Sequence, residues 1–208
     1  MIISYGKQSI DKQDISQVVK SLKSDFLTQG PLVKQFEKEL AKNFKCKFST
    51  VLSNGSAALH LIGKILDWKT GDVIAVPPIT FISSVNSIEH CGAKPIFIDI
   101  NLEDYCMDPI KLENALMKDK QKKIKAAIIT DYGGQPAQWE KFYRLKKKYK
   151  IILINDNCHA MGSSIMSDKG YAVKYADFAT LSFHPVKAIT TGEGGAILTN
   201  NKKMNEKA

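Results

Sequence analysis

The sequence predicts a three-layer α/β/α domain built on a mostly parallel central sheet, and three observations lead there. Short β-rich runs recur at 48–52, 73–76, 95–98, 124–130, 151–154, 178–183 and 196–199. Most are separated by helix-length segments, the order expected when crossover helices join strands of one sheet. Several runs, Ile124 to Thr130 among them, lack inside-outside alternation, as expected of strands covered by helices on both faces.

The elements follow in chain order. Ile15, Val18, Val19 and Leu22 recur at the spacing of one helix face, and Asp11 stands before them as a cap. The turn Thr28-Gln29-Gly30-Pro31 breaks that pattern, and Pro31 suits the first position of a second helix carrying Val33, Phe36 and Leu40. Strands and helices then alternate as far as the 196–199 run. Asn200 to Ala208 reads as the start of another helix without a stop signal, so the chain is expected to be incomplete. No internal repeat or low-complexity linker interrupts the order.

Composition narrows the function classes. With 208 residues, 44% hydrophobic and 25% charged, the chain can bury a substantial core. It has no apolar run long enough to span a bilayer and no secretory layout at its start, so a cytoplasmic protein without membrane contact is expected. Cys46, Cys91, Cys106 and Cys158 are widely spaced, with no Cys-x-x-Cys pair and no histidines placed for zinc, so no metal centre is expected. The net charge of +9 comes almost wholly from dispersed lysines, densest at 118–125 and 146–150, with Arg144 the only arginine. Solvated helix faces account for that pattern better than nucleic-acid binding, which favours arginine clamps.

In open α/β sheets ligands collect beyond the carboxyl ends of the strands, so the residues just after each strand matter most. Ser53-Asn54-Gly55-Ser56-Ala57-Ala58-Leu59 follows the first strand and opens an apolar helix. Its free N–H groups and the Ser56 hydroxyl suit a phosphate, although a tight strand-to-helix turn demands small residues on steric grounds alone. Pro77-Pro78-Ile79-Thr80-Phe81 could set Phe81 beside a flat ring, with core packing as the alternative. Asp156 and His159 fall just past a buried strand, where a turn or cap role competes with chemistry. Ser182-Phe183-His184-Pro185-Val186-Lys187 puts a lysine beyond an apolar strand and among small residues, a poor place for a solubilising charge. The glycines of Gly192-Glu193-Gly194-Gly195 precede a strand instead of opening a helix, which excludes a dinucleotide turn.

Together Asn54 to Leu59, Asp156-Asn157-Cys158-His159-Ala160, Ser182 to Lys187 and Glu193-Gly194-Gly195 resemble the DegT-type sugar aminotransferases, pyridoxal-phosphate enzymes of fold type I. The resemblance runs from Tyr5-Gly6 to the end of the chain. Tyr5 to Ile10, Leu27 to Pro31 and Ile189 to Thr191 look most like the branch serving pseudaminic acid biosynthesis. It implies transamination of a UDP-linked 4-keto-6-deoxy-hexosamine with L-glutamate as donor and pyridoxal 5′-phosphate as cofactor. Lys187 would be the Schiff-base lysine and proton shuttle, and Asp156 would pair with the ring nitrogen. Phe81 would stack on the ring and His159 sit beside it, while Gly55, Ser56, Ala57 and Ser182 would hold the phosphate. Tyr5, Thr28 and Gln29 would line the nucleotide-sugar pocket. The resemblance further implies a homodimer, and makes residues 1–208 the cofactor-binding large domain with its N-terminal arm, without the family's small C-terminal domain. A related dehydratase class carries histidine where Lys187 stands, and a non-catalytic or regulatory protein on the same fold is the reading from another class.

Overall fold

The computed structural model describes residues 8–208, so Tyr5 lies outside the described residues. Seven strands form one sheet: β1 (Phe48–Leu52), β2 (Val73–Val76), β3 (Lys94–Phe97), β4 (Ile124–Thr130), β5 (Ile152–Asp156), β6 (Phe178–Ser182) and β7 (Gly195–Thr199). The sheet order is β1-β7-β6-β5-β4-β2-β3. β3, β2, β4, β5 and β6 run parallel, and β7 runs antiparallel to both β6 and β1. The carboxyl ends of β2, β4, β5 and β6 therefore open on one edge of the sheet.

Among the described residues the α-helices are α1 (Lys12–Leu22), α2 (Pro31–Asn43), α3 (Gly55–Ile65), α4 (Ser83–Glu89), α5 (Pro109–Lys118), α6 (Trp139–Tyr149), α7 (Tyr171–Lys174) and α8 (Lys202–Asn205), and α2 to α7 cover the sheet. Side chains alternate between the two faces of each strand, and both faces of the inner strands β2, β4, β5, β6 and β7 are largely buried. Ile74 and Val76 of β2, Ile128 of β4, Ile154 of β5 and Ile197 of β7 pack under α3 and α4 with Ile62 and Ile88. Ala75, Ala127, Ile129 and Leu153 point the other way, against Leu112 of α5 and Trp139 and Phe142 of α6. Ala179, Leu181, Ala196 and Leu198 extend that second face under α2 and α7. Burial on both sides is why the strands read as continuous apolar runs, and it gives the three layers expected.

The N-terminal helix forms where the apolar period and the cap place it. Asp11 Oδ1 accepts from the Gln13 and Asp14 N–H groups at 2.7 and 2.9 Å, and Asp14 Oδ2 accepts from the Asp11 N–H at 3.0 Å, a reciprocal capping box. Its apolar stripe is not buried: Val18 is 59% and Leu22 63% exposed. Periodicity settled the helix but not a partner for it among the described residues.

One buried carboxylate organises the ground beneath the open edge. Asp131 follows β4 and is fully buried. Its Oδ1 accepts from Ala137 N and Trp139 Nε1, each at 2.8 Å. Its Oδ2 accepts from Asn157 Nδ2 at 2.9 Å and Tyr171 Oη at 2.8 Å. Burial pushes the Asp131 carboxyl above its ordinary 3.8, and those donors pull against it. The carboxylate thus fastens together the loop after β4, the loop after β5 and the start of α7.

Candidate functional site

A cavity of about 630 Å³ opens on the edge of the sheet where the parallel strands end. The turn from β1 into α3 forms one wall. Asn54 caps α3, its Oδ1 accepting the Ala57 N–H at 2.8 Å. The Gly55 and Ser56 N–H groups have no protein acceptor among the described residues, so they and the positive end of an 11-residue helix face the cavity. The Ala57 N–H is taken by the cap, and Ala57 is not among the lining residues.

Crowding explains why glycines stand here. A Cβ on Gly55 would lie 3.1 Å from Ser182 Cβ, 3.2 Å from Cys158 Sγ and 3.3 Å from the Leu181 carbonyl oxygen. A Cβ on Gly195 would lie 2.6 Å from Gly55 N and closer still to the Asn54 carbonyl carbon and oxygen, all backbone atoms with nowhere to go. Gly195→Ala is therefore expected to displace the Asn54-Gly55 turn and to destabilise the fold by about 1–3 kcal/mol, the range of overpacking in tight cores. Urea denaturation reads the stability change, and a phosphate-bearing ligand should bind less tightly to the variant.

The other walls come from the loops after β2, β4, β5 and β6. Phe81 stands at the rim, 63% exposed, so its ring is available to a ligand and not committed to the core. Thr130 and Tyr132 reach in from the end of β4, and the Tyr132 ring lies 6.3 Å from that of His159. Asp156 ends β5 and is 3% exposed, yet it lines the cavity, with Ser84 Oγ donating to its Oδ2 at 2.9 Å. Cys158 lies beside it. Burial, reinforced by the Asp156 charge, pushes the Cys158 thiol well above its ordinary 9.0, so it fills space as a protonated group.

Lys187 is half-buried and lines the same cavity from the segment after β6. That segment is pinned at both ends: Phe183 N donates to the Gly194 carbonyl at 2.8 Å, and the Phe183 carbonyl accepts from Thr191 N at 3.0 Å and Thr190 Oγ1 at 2.9 Å. The buried Phe183 ring packs on Phe36 of α2 with centroids 5.1 Å apart, anchoring the segment to the core. Lys187, Asp156, His159, Ser182, Phe81, Gly55 and Ser56 all line one cavity. Thr28 and Gln29 do not. They sit exposed in the link between α1 and α2, where Gln29 has φ 51° and Pro31 at once starts α2.

Sequence reasoning passed over Thr80, Ser83, Thr130, Tyr132, His184 and Glu193, which also line the cavity. Ser83 Oγ lies 2.5 Å from Ser56 Oγ, joining the starts of α3 and α4. The signal for most of them was position, immediately after a parallel strand. Arg144, on α6, is not among the lining residues.

His159 is held neutral at pH 7. Burial, then the nearby Lys187 cation, push its pKa below the ordinary 6.5 against the opposing pull of Asp156. Below pH 6.5 the unfolded chain takes up a proton at this position before the folded one does. Stability from this residue is thus fully present above 6.5 and is lost as pH falls through the lowered folded value. His159→Gln should flatten that part of the profile, measured as urea midpoints between pH 5 and pH 7 for both proteins.

Among the described residues no helix is long and apolar enough to cross a membrane. A family model described as the DegT/DnrJ/EryC1/StrS aminotransferase family matches residues 8–208. The UDP-4-amino-4,6-dideoxy-N-acetyl-beta-L-altrosamine transaminase of Campylobacter jejuni subsp. jejuni serotype O:23/36 is 39% identical over 99% of this chain and 54% of its own length. The spore coat polysaccharide biosynthesis protein SpsC of Bacillus subtilis is 31% identical over 99% of this chain and 51% of its own. Among solved structures, the Helicobacter pylori aminotransferase PseC, involved in the biosynthesis of pseudoaminic acid, superposes with a TM-score of 0.90 at 31% identity, covering 98% of this chain and 54% of that one. NtdA of Bacillus subtilis with bound cofactor PMP superposes with a TM-score of 0.83 at 28% identity, over 95% of this chain and 44% of that one. The chain spans about half the length of the curated relatives it matches. Its sheet, its loop order and the match from residue 8 to residue 208 together mean that the chain belongs to the DegT/DnrJ/EryC1/StrS aminotransferase family.

Proposed function

We propose that this chain is the cofactor-binding domain of a homodimeric enzyme that transfers the amino group of L-glutamate to the 4-keto carbon of a UDP-linked 4-keto-6-deoxy-hexosamine. The product would feed pseudaminic acid or a related surface glycan. One observation supports this reading above the others: a lysine, a buried carboxylate, an exposed aromatic ring and a phosphate-ready helix start line a single cavity. The names of relatives up to 39% identical point to the same chemistry.

The residues present fit pyridoxal 5′-phosphate. About 630 Å³ is within the range of small-ligand sites. The Gly55 and Ser56 N–H groups at the start of α3 are left free by the Asn54 cap and open on the cavity, a cradle for a phosphate. When bound, the cofactor supplies an electron sink that makes a carbon–hydrogen bond next to nitrogen acidic. Gly55 and Ser56 would hold the phosphate through their N–H groups, with the Ser56, Ser83 and Ser182 hydroxyls around it. Asp156 would pair with the ring nitrogen, Phe81 would cover one ring face, and neutral His159 would lie against the ring or its phenolic oxygen. Lys187 Nζ would anchor the cofactor, take the proton from the amino-bearing carbon of glutamate and return one to the sugar carbon.

The test uses the whole protein carrying this chain, the UDP-linked 4-keto sugar and glutamate labelled with nitrogen-15. Mass spectrometry should find the label in an aminated sugar and stoichiometric 2-oxoglutarate. Tight cofactor binding with no label transferred would instead favour a non-catalytic protein on this fold.

A further inference from the structure

The buried side of Asp156 carries a feature that the proposed chemistry leaves unused. Ser84, the second residue of α4, is fully buried, and its hydroxyl donates to Asp156 Oδ2 at 2.9 Å. Thr80 Oγ1 lies 3.1 Å from Ser84 Oγ and 2.8 Å from Thr130 Oγ1. Thr130 is the neighbour of Asp156 across the parallel pairing of β4 and β5, and is itself 4% exposed. Three hydroxyls from two segments thus run in a file that ends on the carboxylate.

The direction of the file follows from counting protons. A serine hydroxyl has one proton, and that of Ser84 goes to Asp156. Ser84 can therefore only accept from Thr80, so Thr80 must donate to it. Thr80 has then no proton left for Thr130, and its second contact must be one in which Thr130 donates. All the donors in the file point toward Asp156, and hydrogen bonds aligned in one sense polarise one another. At the other oxygen Asp156 receives the Cys158 N–H, at a long 3.3 Å. Ser84 is thus the short, buried tether that sets the plane of the carboxylate.

We propose that Ser84 is a positioning residue for Asp156, held in its donating rotamer by Thr80 and Thr130, and that this file fixes the angle at which the carboxylate meets the cofactor ring. The inference rests on the reading of Asp156 as partner of the ring nitrogen. It also ties two walls of the cavity together, because Thr80 immediately precedes Phe81. A shift of the Phe81 segment would then be felt at Asp156 through the hydroxyls.

The test compares the whole protein with Ser84→Ala, Ser84→Thr and Thr80→Val, titrating pyridoxal 5′-phosphate and following its visible absorption. Ser84→Ala should weaken cofactor binding about 10-fold, the loss of one hydrogen bond to a charged group. It should also move the pH at which the absorption band changes, and lower kcat with KM for both substrates unchanged. Ser84→Thr keeps the hydroxyl and should restore all three. Thr80→Val leaves Ser84 able to donate but no longer oriented, and should fall between. Wild-type cofactor affinity and absorption in Ser84→Ala would overturn the inference alone, as would a Ser84→Thr protein no better than the alanine variant. A wild-type protein that binds no cofactor would overturn the underlying reading as well.

Discussion

Lys187→Ala is expected to abolish amino transfer, lowering its rate by at least about 10³-fold, while the protein stays folded. General acid–base groups alone contribute about 10²- to 10⁴-fold, and Lys187 is assigned a covalent role in addition. The side chain is half-buried on a segment held by Phe183, Thr190 and Thr191, none of which depends on the amine. The melting temperature should therefore barely move, which separates a chemical defect from a folding one. Lys187→Arg should not rescue the activity, because a guanidinium cannot shed its proton at working pH. A glutamate-dependent rate within 10-fold of wild type in either variant would remove Lys187 from the chemistry.

Asp131→Ala should have the largest effect on stability. The substitution removes the acceptor of Ala137 N, Trp139 Nε1 and Tyr171 Oη and one of the two acceptors of Asn157 Nδ2, which keeps only Tyr171 Oη. Each buried donor left unpaired costs about 1–3 kcal/mol, so even partial relaxation leaves a loss of several kcal/mol. That is a large share of the roughly 5–15 kcal/mol that keeps a domain folded. The pH dependence has a definite sign. Because burial raises the Asp131 pKa in the fold, the folded protein binds a proton that the unfolded chain has already released above pH 3.8. Stability therefore falls as pH rises from 3.8 through the raised folded value, and this component should vanish in Asp131→Ala. Chemical denaturation across pH measures both effects. A variant as stable as wild type would mean that the freed donors find other acceptors.

The strands were legible because their burial is two-sided. Ile124 to Thr130 could read as an apolar run only if helices covered both faces, and α3 with α5 and α6 do so. The reversed direction of β7 was not read, although the chain carries its cause. The segment from Phe183 to Gly194 contains no helix, and without a crossover the next strand can join its neighbour only antiparallel. The apolar stripe of α1 fixed a helix but could not say what covers it, since periodicity reports a face and not a partner.

The site was legible where a residue type was odd for its place, as with Lys187 beyond an apolar strand. It was illegible where ordinary residues act through geometry. Ser84, Thr80 and Thr130 are unremarked small polar residues in sequence, and only the pairing of β4 with β5 and the start of α4 bring them to Asp156. Ala57 shows the converse. It sits in the right motif, but the cap from Asn54 takes its N–H, a contest that spacing alone does not decide.

The central claim is that the amine of Lys187 and the carboxylate of Asp156 face one bound pyridoxal 5′-phosphate. Adding one equivalent of cofactor to the protein, reducing with borohydride and locating the pyridoxyl group by peptide mass tests it directly. The account predicts the label on the Lys187 peptide, with strongly reduced labelling there in Asp156→Ala. A label scattered over the many surface lysines, or one that is indifferent to Asp156, would contradict it.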